Sequence, residues 1–110
     1  MSGIDVDQLG ADIVSGFKGA VGAKWPAVRE YFEAESKVLA QRLATIAKLR
    51  IEGKISEQRA KELVQFQKNS FETVLLAVEG LTQLIIEDAL NAGLKAVRTA
   101  INTAIGFALL

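Results

Sequence analysis

The chain has no cysteine and no histidine. The first absence excludes a disulfide framework, a thiolate metal site and a thiol nucleophile. The second removes the commonest general base and the commonest metal ligand at neutral pH. Any metal would need carboxylates alone. The nearest cluster, Glu30, Glu33 and Glu35, lacks the histidines that di-iron bundles place on facing helices, and it reads as a solvated helix face. Charge of one sign is also missing. Thirteen Lys and Arg balance thirteen Asp and Glu, so no global field draws the chain to nucleic acid. Aromatic residues make up only 6%, and none stands beside the basic stretch near residue 54 to stack on a single strand.

Chemical signatures are absent in the same way. Gly16, Gly19 and Gly22 lie inside a helix-like pattern, not between a strand and a helix, so they do not form a phosphate-binding loop. No serine has a histidine partner. The expectation is a non-enzymatic protein with no cofactor, no metal, no small-molecule substrate and no nucleic-acid partner. The longest uncharged run is Thr99–Leu110, about 18 Å as a helix against the roughly 30 Å of a bilayer core. The acidic start, Met1–Asp5, is not expected to be a secretory signal, which points to a cytoplasmic or assembly-associated protein.

What is present is apolar residue at helical spacing. Half of the residues are hydrophobic before the nine glycines are counted, against roughly 45–50% with glycine included in ordinary domains. A domain of 110 residues buries only about 60–70% of its unfolded surface, so the excess is expected on other subunits or on lipid. Charge is uneven along the chain. Residues 24–68 carry ten Lys or Arg and six Glu, whereas residues 1–23 and 69–110 each carry a net −2.

The most legible stretch is Arg50-Ile51-Glu52-Gly53-Lys54-Ile55-Ser56-Glu57. Gly53 suits the left-handed residue that closes a helix. Ser56 suits an N-cap, with Glu57 favourable in the first turn, and Ile55 is placed for a hydrophobic staple on Ala60 or Leu63. Gly53, Ile55 and Ser56 therefore predict a hairpin turn that nearly bisects the chain. Before it, Val28, Phe32, Leu39, Leu43, Ile46 and Leu49 form the stripe of a helix over about 26–52. After it, Ala60, Leu63, Val64, Phe71, Val74, Leu75, Val78, Leu81, Leu84 and Ile85 continue a stripe compatible with one helix over about 56–104, with Gly80, Gly93 and Gly106 as bends. Leu76, Ile86 and Leu90 fall off that stripe. Asn69, Asn91 and Asn102 are polar points suited to hydrogen bonds between helices.

Residues 4–22 read as an amphipathic helix on Ile4, Leu9, Ile13, Phe17, Ala20 and Val21, with a smooth side at Gly16, Gly19 and Gly22. Pro26 favours a corner at Trp25, which Trp25 itself would fill.

The expected architecture is all-α and a single domain over 1–110. It comprises an N-terminal amphipathic arm (1–23), a charged hairpin head (24–70) and an apolar segment facing an assembly or a membrane (71–110). The hairpin would be about 80 Å long at 1.5 Å per residue. The arm would either cover the far helix or swing onto a neighbour.

The function expected is self-assembly into a filament, tube, ring or phage-like structure. The expected interface is Ile13, Phe17, Leu76, Leu84, Ile86, Leu90, Leu94, Ile101, Ile105, Phe107 and Leu109. The alternative is a membrane-active protein, a peripheral remodeller or oligomeric pore former, with Lys48, Arg50, Lys54, Arg59 and Lys61 at the tip meeting a polar partner or lipid headgroups. A weaker third reading is an adaptor or chaperone with an apolar groove. Expected partners are further copies of the chain, with membrane lipid second.

Overall fold

Among the described residues four α-helices follow one another with short connections: α1 (Val6–Val21), α2 (Trp25–Ile51), α3 (Glu57–Leu76) and α4 (Gln83–Ile105). The computed structural model describes residues 4–110; residues 1–3 of the N-terminal arm lie outside the described residues. Among the described residues every regular element is helical.

The α2–α3 connection forms as its residues dictate. Gly53 takes φ +72. Its amide donates to Arg50 O and the Lys54 amide to Leu49 O, the paired bonds that satisfy the last carbonyls of a helix. The Ser56 hydroxyl accepts from the Arg59 amide at 3.0 Å and caps α3. Ile55 is half-buried against the core.

The single helix expected over 56–104 is not formed. It breaks at residues 77–82 into α3 and α4. Gly80 takes φ +88, and the Thr82 side chain accepts from the Ile85 amide and starts α4. Breaking here lets both halves fold onto α2 and α1 instead of leaving α4 without a partner. The molecule is accordingly 41 Å in its longest dimension, not 80 Å. That length is about the 27 residues of α2 at about 1.5 Å each.

The corner before α2 is sharp. Gly22–Lys24 forms one 3₁₀ turn, Gly22 takes φ +64, and Pro26 sits in the first turn of α2, where its missing N–H costs nothing. The Lys24 ammonium donates to Gly80 O at 2.8 Å. The corner and the α3–α4 turn therefore lie at one pole of the molecule. At the other pole, Arg50 bonds Ile55 O and its guanidinium lies 5.8 Å from the Phe107 ring centroid. The helices run alternately up and down between these poles. α1 packs most extensively on α4, then on α2, and α3 packs on both α2 and α4. The arm thus neither extends the hairpin nor leaves the chain.

The core is centred on aromatic rings. Phe17 of α1 lies 5.2 Å from Phe32 of α2 and 5.2 Å from Phe71 of α3, between ring centroids. Trp25 is buried and 6.0 Å from Phe32, filling the corner as its position predicts. The fourth helix meets Phe17 through an absent side chain. A Cβ at Gly93 would fall 2.5 Å from the Phe17 ring, and one at Gly16 would fall 2.6 Å from Ala92 O and 2.8 Å from Gly93 Cα. Glycine at both positions is what allows α1 and α4 to approach so closely.

These environments set opposite signs for one substitution. Gly16→Ala meets backbone that cannot rotate away, so it should destabilise by about 1–3 kcal/mol as overpacking does, despite the better helix propensity of alanine. Gly19 has open space around it, and Gly19→Ala should stabilise by up to about 1 kcal/mol. Urea denaturation of the two variants checks both signs.

Candidate association surface

Most of the side chains expected between subunits lie inside the chain's own core. Ile13, Phe17, Ile86, Leu90, Leu94, Ile101 and Leu109 are buried within one molecule. Ile105 and Phe107 are half-buried against that core. The apolar periodicity that identified them was real, but the four-helix fold gives them partners in the same chain. Of the expected set, only Leu76 and Leu84 are exposed. Leu76 ends α3 and Leu84 lies in the first turn of α4, so they flank the α3–α4 turn. Val74 and Leu84, expected on the inner stripe, point outward instead.

The tail is not a bare apolar end. Gly106 takes φ +80 and turns the chain back. The Asn102 Oδ1 accepts from the amides of Leu109 and Leu110, each at 3.0 Å, and its Nδ2 donates to Leu110 O at 3.3 Å. Asn102 thus holds its own tail and does not set register between helices. Asn69 is likewise local, accepting from the Gln65 side chain at 3.1 Å, and Asn91 is exposed.

Much of the basic tip is engaged locally. Lys54 pairs with Glu52 at 3.2 Å and Arg59 with Glu62 at 3.3 Å. Arg50 lies 3.8 Å from Glu57, and its Nε is buried without a partner. Lys48 and Lys61 form no ion pair among the described residues. Exposed pairs of this kind hold helix ends with little net stabilisation.

Two surfaces remain. One is a cleft of about 550 Å³ between α1 and α2, floored by Val6, Gly10, Ala11 and Val14 and rimmed by Asp7, Glu33 and Lys37. The Ser36 hydroxyl beside it is already donated to Glu33 O at 2.7 Å. The other consists of exposed large apolar side chains: Tyr31, Val38, Ile51 and Phe66, which periodicity did not single out, together with Val74, Leu76 and Leu84. Phe66 is 63% exposed and Leu84 66%. The signal for Phe66 was its position opposite Ala60, Val64 and Phe71 on the helix, among Gln65, Gln67 and Lys68. Among the described residues no group of three or more Asp or Glu is arranged to hold a metal ion, and no helix is long and apolar enough to cross a membrane. No family model matches the chain, and no match to it was found among curated proteins or solved structures.

The tail clasp yields a direct test. Asn102→Ala removes three hydrogen bonds to the tail, each worth about 0.5–1.5 kcal/mol net. It should raise amide hydrogen exchange at Leu109 and Leu110 by at least about tenfold, leaving the amides of α1 near their parent rates.

Proposed function

We propose that the protein is a non-enzymatic helical building block that associates with copies of itself through apolar side chains outside its core. The observation that carries this reading is the set of large apolar groups left in solvent on a bundle whose interior is already filled, Phe66 and Leu84 foremost. Single exposed apolar residues are ordinary, but contiguous ones on a small domain mark a contact surface. Each such side chain, fully buried, contributes roughly 1.5–3 kcal/mol, so a few shared between subunits suffice. The group at Leu76 and Leu84 is at one pole, Ile51 ends α2 at the other, and Tyr31, Val38, Phe66 and Val74 lie along α2 and α3. Two unlike patches on one subunit permit assembly beyond a pair, closing to a ring or extending as a filament according to the rotation between subunits.

Membrane activity would require the bundle to open. The apolar side of α1 faces α4 and α2, and the buried residues of α4 face the same core, so neither helix has its apolar side free for an interface. Leu84→Asp should lower the mass of the assembly in detergent-free buffer, measured by sedimentation velocity with negative-stain imaging. The parent chain should leave dye-loaded anionic vesicles intact. A parent chain that sediments as a monomer, or that empties the vesicles, overturns the reading.

A further inference from the structure

The outer side shared by α2 and α3 carries apolar groups at helical spacing. Tyr31 and Val38 stand seven residues apart on α2, Phe66 and Val74 eight apart on α3, and all four are exposed. Such spacings keep side chains on one side of a helix. Val38 lines a cleft with Glu35, Leu39, Gln67, Ser70 and Phe71, so Val38 and Ser70 border the same seam at the same height. Ser70 is midway between Phe66 and Val74. The side therefore has a centre at Val38 and Ser70, with Tyr31 on α2 and Phe66 and Val74 on α3 displaced from it. Charge follows the same plan on α2. Glu35 stands one turn before Val38 and Arg42 one turn after it. Neither forms a side-chain hydrogen bond or ion pair within the chain among the described residues.

We propose that this side binds a second copy of the chain about a two-fold axis that lies in the interface and passes by Val38 and Ser70. The proposal rests on the self-association reading and names its surface. The axis sets α2 antiparallel to α2 of the second copy, and α3 antiparallel to α3. A residue before position 38 then meets one equally far after it, which brings Glu35 of each copy to Arg42 of the other within one residue. Around position 70 the same rule sets Phe66 of each copy on Val74 of the other. Every pair occurs twice, as an isologous contact requires.

Glu35 and Arg42 are about 10.5 Å apart along their own helix, too far to pair within one chain. With α2 set on α2, parallel copies would oppose Glu35 to Glu35 and Arg42 to Arg42, whereas antiparallel copies oppose unlike charges.

The test is sedimentation equilibrium of the full chain across a micromolar concentration series, with circular dichroism confirming helix content. Phe66 is exposed, so Phe66→Ser should fold normally and raise the dissociation constant of the pair about a hundredfold or more, the side chain being lost twice. Arg42→Glu should raise it about tenfold. The double variant Glu35→Arg/Arg42→Glu should return it to within about threefold of the parent, because coupled pairs compensate. A double variant as weak as Arg42→Glu alone overturns this geometry. Association that survives Phe66→Ser but is lost in Leu84→Asp removes this surface while leaving self-association standing. A parent chain monomeric at every concentration removes both.

Discussion

One aromatic ring holds the four helices to a common centre. Phe17 touches α4 where Gly93 has no side chain and lies beside Phe32 and Phe71. Its neighbours are thus drawn from the other three helices. Aromatic pairs at such separations contribute about 0.5–1.5 kcal/mol beyond their buried area. The larger effect is geometric. With Phe17 in place, α4 must return alongside α1, which requires the reversal at Gly80, and α1 must fold back from α2, which requires the turn at Gly22–Lys24. The Lys24–Gly80 hydrogen bond joins those two reversals at one pole.

This interior also limits where association can occur. An elongated hairpin would leave a whole apolar segment without neighbours, and its interface would be residues 71–110 at large. The bundle supplies partners for nearly all of that segment, including Leu109 in the reversed tail. What remains in solvent is fewer in number and more specific in position. Charge gathered near the hairpin tip is largely taken up by neighbouring carboxylates, which leaves unpaired groups such as Glu35 and Arg42 along the sides.

The helical class, the α2 stripe, the corner at Trp25 and the turn at Gly53 were all legible in the sequence, because each rests on residues within one or two helical turns. The break at Gly80 obeys the same grammar as the turn at Gly53: a glycine at positive φ, then a hydroxyl N-cap. It was obscured because apolar residues continue in helical phase across it, through Leu75, Val78, Leu81 and Ile85. Periodicity records which residues want burial and is silent on whether the helix bends back to provide it. For the same reason periodicity could not tell a contact between chains from one within a chain, and most of the expected interface residues are buried within one molecule. Gly16 offered a smooth surface in the sequence, but its partner Gly93, 77 positions away, could be found only in three dimensions. Phe66 was passed over because reading stripes looks for residues in phase with the core, and Phe66 stands on the opposite side of α3 from Ala60, Val64 and Phe71.

The pairing of α1 with α4 joins the first of the four described helices to the last. α1, α2 and α3 can close on one another through their short connections, but the side of α1 that packs on α4 has no partner until α4 is made. The chain therefore completes its core only after α4 has emerged, and contacts between such distant segments form slowly. During that interval the part of Ile13 and Phe17 that packs at Gly93 is left open to the surroundings. Retention of α1 by a chaperone, or collision between neighbouring nascent chains, is the hazard that this topology creates.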